Sequence, residues 1–340
     1  MKKNNLIVSY PSDKNGCGFY RSMIPFSYLN CVGDFETPFL FGFNFDLAML
    51  ERAKWVRFQR QVTEAQKAIF FKYQELAKKN NYKTKFAYEI DDFAHAIEPQ
   101  NILAYQFYTQ KRKDNLVEIM KSCDLTTVST DYLKNYYEKE HQVKNIRVVP
   151  NYLPKFLWGN CGQRDKYNKG KKLRILWAGS ASHIGKGGDL EFMVPLIEKT
   201  INEFEWVFVG VAPFSIKDKV EFHKWSNFYN YPQALDSIDA DIAIAPITDT
   251  KFNYGKSDLK VLEYTALGLP GIFSKTSGNG PYDLHKQILT VENNADDWYN
   301  AIKKLENDFE YRIELLENQN QILEKRWLED NINLYEELFG

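Results

Sequence analysis

Residues 173–200 read LRILWAGSASHIGKGGDLEFMVPLIEKT, and the fold prediction starts from this stretch. Its apolar opening, residues 173–177, predicts a buried strand, and a helix is expected from Leu190 to about Thr200. A glycine-rich loop, residues 179–188, lies between them. A strand, a glycine-rich loop and a helix in this order indicate a parallel sheet covered by helices, with ligands bound where loops meet helices.

The same alternation runs through the chain of 340 residues. Further strands are predicted at residues 6–10, 55–58, 86–90, 125–128, 146–149, 206–209, 242–245 and 271–274. Helices are predicted at residues 19–29, 62–79, 103–120, 132–138, 259–267 and from 295 onward, with Thr130 capping one of them. The predicted fold class is therefore α/β, with two Rossmann-like, doubly wound domains that face a cleft.

A polar, aperiodic stretch separates the two runs of strands. A chain of this length ordinarily holds two domains. We place an N-terminal domain at residues 1–155, a linker at 156–172 and a C-terminal domain at 173–322. Residues 323–340 are expected to form a helix that returns to the N-terminal domain.

The composition argues against several classes of protein. The net charge is -1, so no global basic field indicates a nucleic-acid partner. The four cysteines lack C-x-x-C spacing, which favours reduced thiols and a cytoplasmic location. We see no signal peptide and no apolar run of about 18 residues. No metal site is expected, because Asp241 of the D-x-D match at 239–241 begins an apolar strand.

The loop at residues 179–188 is a candidate anion site. Its glycines allow close approach to the backbone, and amides at the start of a helix attract anions. A diphosphate suits this chemistry, with Gly179, Ser180, His183 and Lys186 as candidate contacts. The alternative is a flexible loop without a ligand, since its spacing matches neither a P-loop nor a dinucleotide fingerprint.

A second candidate is the segment KSDLKVLEY at residues 256–264. Lys256 and Ser257 fall where a helix begins, so orphan amides and the helix dipole favour a phosphate there. Lys260 and Glu263 lie one turn apart, and a carboxylate in this position can accept both hydroxyls of a ribose. The alternative is an ordinary ion pair between residues three positions apart.

Two further loops follow strands in the N-terminal half. Gly18 and Arg21 lie after the first strand, where a sugar or phosphate can approach the backbone, although a structural turn fits equally. Asp91, Asp92 and His95 follow another strand as candidate catalytic residues. Adjacent carboxylates repel, so one can have a raised pKa and act on a hydroxyl; the alternative is an N-cap role.

Residues 52–85 form a locally basic stretch, with ten lysines and arginines against two acids and with interleaved aromatic residues. Phosphate backbones attract such surfaces, and Lys54, Arg57 and Arg60 are the candidate acceptor contacts. Two alternatives stay open. The charges can simply solvate a helix face, and anionic membrane lipid would be attracted equally.

In this order along the chain, the motifs resemble those of the retaining GT-B glycosyltransferases, the superfamily that includes glycogen synthase, sucrose synthase and many bacterial envelope transferases. The matching segments are the glycine-rich first loop and residues 123–130, 148–151, 175–180, 207–210, 240–246 and 256–270. The resemblance implies two Rossmann-like domains, with a nucleotide-sugar donor held mainly by the C-terminal one and the acceptor by the N-terminal one.

The resemblance also implies roles for single residues. Glu263 corresponds to the acid that binds the donor ribose, and Lys186 to the phosphate lysine of the family. Lys256 and Ser257 correspond to phosphate contacts at the helix start. Tyr231 completes the candidate donor contacts, which are otherwise Gly18, Arg21, Gly179, Ser180, His183, Lys186, Lys256, Ser257, Lys260 and Glu263.

Two positions depart from the family pattern. Ser180 stands where the family often has arginine, and Gly255 stands where it has the earlier of two acids. Lys256 is the expected replacement for the arginine. The family needs no cofactor or metal and retains the anomeric configuration, so Asp91, Asp92 and His95 are expected to orient the acceptor.

Residues 16–21, 58–60 and 88–92 are similar to a branch found in phages and bacterial sugar clusters, including phage enzymes that glycosylate 5-hydroxymethylcytosine in DNA. We therefore expect a UDP-sugar donor and double-stranded DNA as the acceptor, with a glycan as the alternative. Two other functions stay open: an envelope or polysaccharide transferase, and a nucleotide-sugar epimerase or non-catalytic binder of the same fold.

Overall fold

The structure is a computed structural model that describes residues 4–42, 47–163, 171–180, 183–184 and 187–340. Within these residues it contains two six-stranded sheets, one in each half of the chain. Every strand pairing in both sheets is parallel. This agrees with the predicted α/β class, because parallel strands need helical crossovers between them.

The N-terminal sheet has the spatial order β2-β1-β3-β4-β5-β6. Its strands are β1 (Asn5–Tyr10), β2 (Phe35–Glu36), β3 (Ala53–Gln59), β4 (Lys85–Ile90), β5 (Leu125–Val128) and β6 (Ile146–Val148). The chain runs from β1 outward to β2 and then crosses to β3 on the other side of β1. The switch point of this sheet therefore lies between β1 and β3.

The C-terminal sheet repeats the arrangement with the order β12-β11-β10-β7-β8-β9. Its strands are β7 (Arg174–Gly179), β8 (Glu205–Gly210), β9 (Glu221–His223), β10 (Ile242–Ala245), β11 (Gly271–Ser274) and β12 (Leu289–Val291). The chain leaves β7 in one direction and returns to its other side with β10. The switch point of this sheet lies between β7 and β10, next to Gly179, where β7 ends.

Helices cover the N-terminal sheet. They are α1 (Gly16–Gly18), which continues through a π-helical turn (Phe19–Met23) into α2 (Ile24–Val32), and α3 (Leu47–Arg52), α4 (Glu64–Lys79), α5 (Ile102–Phe107), α6 (Gln110–Ser122) and α7 (Asp131–His141). The next helix, α8 (Lys155–Trp158), follows the sheet and packs on the second half, where the ring of Trp158 lies 5.9 Å from that of Tyr231. As predicted, Thr130 caps α7, and its hydroxyl accepts a hydrogen bond from the amide of Leu133. The helix predicted at 103–120 is two helices, because Thr109 caps α6 and starts a new helix.

The second half contributes the remaining helices. They are α9 (Val194–Thr200), α10 (Tyr231–Asp236), α11 (Lys251–Tyr254), α12 (Leu259–Ala266), α13 (Ala295–Asn307), α14 (Phe309–Leu323) and α15 (Ile332–Phe339), with short 3-10 turns at Glu191–Met193, Lys217–Lys219 and Glu329–Asn331. Another short 3-10 turn, Ala94–Ala96, lies in the first half. In the described part of the chain, no helix combines the length and apolar character needed to cross a membrane.

The last helix packs on the N-terminal half. The rings of Tyr335 and Phe339 lie 5.7 and 5.2 Å from the ring of Phe26 on α2, and Phe339 also contacts Trp55 on β3. The chain passes between the two halves twice, first near Leu153 and again at residues 326–328, and these two segments lie side by side. There the amide of Leu153 donates to the carbonyl of Arg326, and the amide of Leu328 donates back to Leu153.

Candidate active site between the two sheets

The carboxyl ends of the two sheets face each other, and side chains from both halves meet there. Tyr20, from the π-helical turn after β1, donates a hydrogen bond of 3.3 Å to Glu263 on α12. Asn151, which follows β6, donates from its amide to the hydroxyl of Ser257, just before α12, at 2.7 Å. Thr130 reaches the carbonyl of Gly255 at 3.4 Å. The candidate site is therefore built from both sheets.

Asp189 is the centre of the hydrogen-bond network at the C-terminal switch point. This buried carboxylate accepts from the amide and hydroxyl of Thr248 at 2.8 and 3.0 Å and from the side-chain amide of Asn253 at 2.9 Å. Its other oxygen lies 2.7 Å from Nδ1 of His183 and 3.2 Å from Nζ of Lys256. One carboxylate thus joins the loop after β7 to the segment after β10.

Burial and the charge of Lys256 determine the protonation states of Asp189 and His183. Burial alone would raise the pKa of Asp189, but the ammonium of Lys256 and the hydrogen bond with His183 outweigh it and hold that pKa well below its usual range. Burial, and next the charge of Lys256, lower the pKa of His183. Asp189 is therefore ionised and His183 neutral near pH 7, so Lys256 is the cation of the group.

The predicted contacts in the loop after β7 have separate roles in the structure. Gly179 ends β7, and a Cβ there would lie 2.6 Å from the ring of Trp177, so glycine is needed for packing. Ser180 is exposed, and its carbonyl accepts from the amide of His183 at 3.2 Å. Lys186, the predicted phosphate lysine, lies outside the described residues.

The start of α12 is tied to the N-terminal core by buried side chains. Asn151, which bonds Ser257, accepts from the guanidinium of Arg21 at 3.0 Å. Arg21 in turn pairs with Glu89 on β4 at 2.7 Å and is itself buried. Arg21 was predicted to contact the donor, but its guanidinium faces Glu89 and Asn151 and acts on the site through Asn151.

Glu263 lies one turn into α12 and is almost fully buried. It accepts from Nζ of Lys260 at 2.7 Å and from the hydroxyl of Tyr20. The ion pair that the sequence offered as an alternative is therefore present, but its carboxylate faces the cleft and not bulk solvent. Burial, and next the charge of Glu263, raise the pKa of Tyr231 well above its usual value.

Tyr231 also has an unused polar atom. Among the residues that the structure describes, its buried hydroxyl has no hydrogen-bond partner. Buried polar groups are normally satisfied, so this hydroxyl is a candidate contact for a polar ligand. Gly18 has a different role: a Cβ there would lie 1.9 Å from the carbonyl oxygen of Asp13, so this glycine closes its own loop.

Asp91 and Asp92 follow β4 and share one arginine. Nε of Arg60 lies 3.5 Å from Asp91, and its terminal nitrogens bond Asp92 and the sulfur of Cys17. Burial raises the pKa of Asp91, and the charge of Arg60 opposes the shift. Arg60 adopts the left-handed backbone conformation (φ 55°), which is uncommon for a non-glycine residue and aims its side chain at both carboxylates.

His95 is placed apart from that group. Its Nδ1 lies 3.3 Å from the hydroxyl of Tyr137, and its ring packs on Tyr136 and His141 of α7. Burial, aided by the charge of His141, lowers the pKa of His95 to about 4. The imidazole is thus neutral near pH 7 and belongs to an aromatic cluster of the N-terminal half.

The three predicted acceptor contacts are not equivalent. Arg57 is buried: it donates to the hydroxyl of Ser22 at 2.6 Å and pairs with Glu89 at 3.3 Å. Its position inside the sheet corrects its assignment to an acceptor surface. Lys54 is partly exposed and bonds Asn5, whereas Arg60 lies in the cleft with Asp91.

Sequence reasoning missed Asp189, Asn151 and Asp258. Asp258 accepts two hydrogen bonds from Arg326, at 3.0 and 2.8 Å, and lies 2.9 Å from His285. An aspartate at the end of a glycine-rich loop is a possible N-cap and could have drawn attention to Asp189, but Thr248, Asn253 and Lys256 are distant from it in sequence. Across the described residues, no cluster of three or more metal-ligating side chains is found.

Comparison with known proteins gives structural matches only. No protein-family model matches the sequence, and no curated protein matches it. A sucrose-phosphate synthase from Thermosynechococcus elongatus superposes with a TM-score of 0.68 at 12% identity, over 98% of this chain and 99% of that one. An E. coli trehalose-6-phosphate structure bound with UDP-2-fluoro glucose gives 0.66 at 8%, over 98% and 99%.

TarM is a third match, with a TM-score of 0.56 at 14% identity over 85% of this chain and 55% of that chain. S. aureus TarM has also been solved in complex with fondaparinux, alpha-GlcNAc-glycerol and UDP, and that structure superposes with a TM-score of 0.53. At these identities the likeness establishes the fold. The chain has the GT-B fold that the sequence predicted, with two Rossmann-like, doubly wound sheets that face each other across a cleft.

Proposed function

We propose that this protein is a glycosyltransferase that moves a sugar from a nucleotide-sugar, a UDP-sugar, to an acceptor hydroxyl. The observation that carries the proposal is the buried carboxylate of Glu263, on a helix that begins beside Lys256 and Ser257 at the switch point of the C-terminal sheet. Leu259, the first residue of α12, precedes Glu263 by about 6 Å along the helix axis. This spacing suits a diphosphate at the helix start and a ribose at the carboxylate.

Neighbours of the same fold support the choice of donor. The E. coli structure holds UDP-2-fluoro glucose, and one TarM structure holds UDP. Lys256 and the free amides at the start of α12 would stabilise the negative charge that develops on a departing diphosphate. The Asp189 carboxylate orients Lys256 for this role.

The proposed chemistry follows the retaining, metal-independent course that the sequence resemblance implies. The bond between the anomeric carbon and the diphosphate oxygen breaks, and the acceptor oxygen bonds to the same face of the sugar. The acceptor proton passes to the departing phosphate oxygen, so no protein nucleophile is needed. Asp91 and Asp92 would accept hydrogen bonds from the acceptor. Proton NMR of the new anomeric centre tests retention, and activity in excess EDTA tests metal independence.

The acceptor predicted from the sequence, 5-hydroxymethylcytosine in double-stranded DNA, stays a prediction. Exposed lysines on and after α4 support it, among them Lys72, Lys78, Lys79, Lys83 and Lys85. The buried position of Arg57 removes one of its three predicted contacts. Incubation with UDP-sugars and hydroxymethylated or plain DNA, followed by nucleoside mass spectrometry, tests it directly. DNA without added mass would leave the envelope or polysaccharide acceptor as the alternative.

Calorimetry with UDP tests the donor site itself. We expect Glu263→Gln to weaken UDP binding by about tenfold or more, because a carboxylate accepts stronger hydrogen bonds from ribose hydroxyls than an amide does. Glu317→Gln, at an exposed position of α14, is the matched control and should bind like the unaltered protein. Equal UDP affinity in all three proteins would overturn the ribose assignment. Interconversion of UDP-sugars without transfer would indicate the epimerase alternative.

A further inference from the structure

A short helix in the N-terminal half displays large apolar side chains to solvent. Four of the six residues of α5 are exposed in this way: Ile102 by 60%, Leu103 by 82%, Tyr105 by 46% and Phe107 by 41%. None of the residues of α5 is buried. Single exposed apolar residues are ordinary, but a contiguous group of them marks an interaction site.

Local contacts hold α5 in place. Ala104 packs against the apolar core of the N-terminal sheet, and Tyr108, directly after the helix, is buried in it. The guanidinium of Arg112 donates to the carbonyl of Phe107 at 2.7 Å and so caps the end of the helix. A helix of six residues is not stable alone, so these contacts keep the apolar face presented outward.

The helix lies beside the mouth of the cleft. Gln100 precedes it by two residues, and a Cβ at Gly187, in the loop after β7, would lie 2.7 Å from Cγ of Gln100. A partner that binds α5 is therefore brought next to both the donor loop and the acceptor side of the site.

Cations follow the apolar face directly. Lys111, Arg112 and Lys113 form the first turns of α6, and the Arg112 guanidinium lies 4.3 Å from the centre of the Phe107 ring. Two acids lie nearby: Glu64 is 3.6 Å from Lys111, and Asp114 accepts from Gln110 at 2.8 Å. The side chain of Lys111 remains 72% exposed.

We propose that α5 and the first turn of α6 dock this protein on the surface of a bilayer that contains anionic phospholipid. Apolar tips on a surface helix insert at the boundary between headgroups and acyl chains, and adjacent lysines and arginines meet the lipid phosphates. A duplex nucleic acid would use the cations but not four exposed apolar side chains. A protein partner or a second copy of this chain would use the apolar face but does not require the cations.

Co-sedimentation with vesicles tests the docking surface. The unaltered protein should bind vesicles of phosphatidylcholine mixed with phosphatidylglycerol, bind phosphatidylcholine alone more weakly, and lose affinity as salt rises. The double variant Ile102→Ser/Leu103→Ser and the charge variant Lys111→Gln/Lys113→Gln should each lower the vesicle affinity by about tenfold or more. A control variant, Phe214→Ser, changes a residue that is 95% exposed in the other half of the chain and should bind normally.

Several results would overturn the proposal. They are absence of vesicle binding by the unaltered protein, equal loss of binding in Phe214→Ser, a dimer in light scattering that only Ile102→Ser/Leu103→Ser abolishes, and duplex DNA binding that requires α5. Circular dichroism checks that every variant is folded. Since UDP calorimetry reads the donor site and vesicle binding reads α5, failure of the proposed function and failure of this inference are distinguishable.

Discussion

The ammonium of Lys256 lies 3.2 Å from the carboxylate of Asp189. Lys256 is the cation expected to meet the donor diphosphate, and Asp189 is a buried acid that also holds Thr248, Asn253 and His183. The carboxylate therefore fixes the position of the lysine and of the loop after β10 together. A flexible lysine would lose side-chain entropy on meeting a phosphate, and this pairing removes part of that cost in advance.

Replacing Asp189 should impair the reaction more than the fold. Asp189→Asn keeps an oxygen that can accept from Thr248 but removes the charge that holds Lys256. We expect kcat/KM for the nucleotide-sugar to fall by about tenfold to a hundredfold, the loss of one charge-assisted hydrogen bond. Steady-state kinetics checks this, with Asp296→Asn, an exposed aspartate, as the control. Unchanged kinetics in Asp189→Asn would show that Lys256 needs no such support.

His95 should make the protein sensitive to mild acid. Burial, aided by the charge of His141, lowers the pKa of His95 to about 4, whereas an unfolded histidine titrates near 6.5. Its contribution to stability is therefore complete above about pH 6.5 and is lost as the pH falls toward 4, by up to about 3 kcal/mol. Urea unfolding at a series of pH values should show a shallower decline for His95→Gln than for the unaltered protein.

An NMR titration of His95 supplies an independent check. Its midpoint should lie near pH 4. Parallel unfolding curves for the two proteins, or a midpoint for His95 close to the usual value, would contradict the assignment of this imidazole to the aromatic cluster.

Arg57 should matter for stability and not for an acceptor. It shares the buried Glu89 with Arg21, and removing one member of a buried ionic group leaves charge uncompensated. Arg57→Gln should lower the free energy of unfolding by about 3 kcal/mol, and Lys54→Gln, at a partly exposed position, by about 0.5 kcal/mol or less. Denaturant titration compares them. Normal stability together with weakened DNA binding in Arg57→Gln would restore the surface role.

Side chains of the N-terminal half occupy the space next to Gly255, where a larger residue would have to fit. A Cβ there would lie 2.7 Å from Cβ of Phe93 and 3.1 Å from the Leu133 side chain. Restoring the acid of the family pattern with Gly255→Glu should therefore push the halves apart and reduce turnover, and Gly255→Ala should do so to a smaller degree. Activity above that of the unaltered protein in Gly255→Glu would show that the space is available to a carboxylate.

Local chemistry explains which features could be predicted. Strands β7 and β10 were evident because fully buried strands of a parallel sheet are continuous apolar runs, and Thr130 was recognisable as a cap from its own type. The edge strands β2, β9 and β12 were missed because each has only two or three residues, too few to show a strand periodicity. The break between α5 and α6 was missed because Thr109, the cap that starts α6, was not recognised between two helix-forming segments.

In the candidate site, too, contacts within one helix could be predicted from the sequence, whereas contacts between distant segments could not. Glu263 and Lys260 could be paired from their spacing on one helix, which needs no knowledge of the fold. The partners of Asp189 could not, since Thr248 and Asn253 meet it only when β10 returns to the far side of β7. Arg57 appeared to be a surface cation because its buried partner, Glu89, belongs to the neighbouring strand.

The two crossings of the chain between its halves also restrict how the cleft opens. They lie side by side, and Leu153 is hydrogen-bonded to Arg326 on one side and to Leu328 on the other. Two connections that are hydrogen-bonded to each other at one place favour rotation of the halves about a line through Leu153 over twisting about a single connection. We therefore expect opening of the cleft to be a hinge rotation that separates Tyr20 from Glu263 and Asn151 from Ser257 in the same movement.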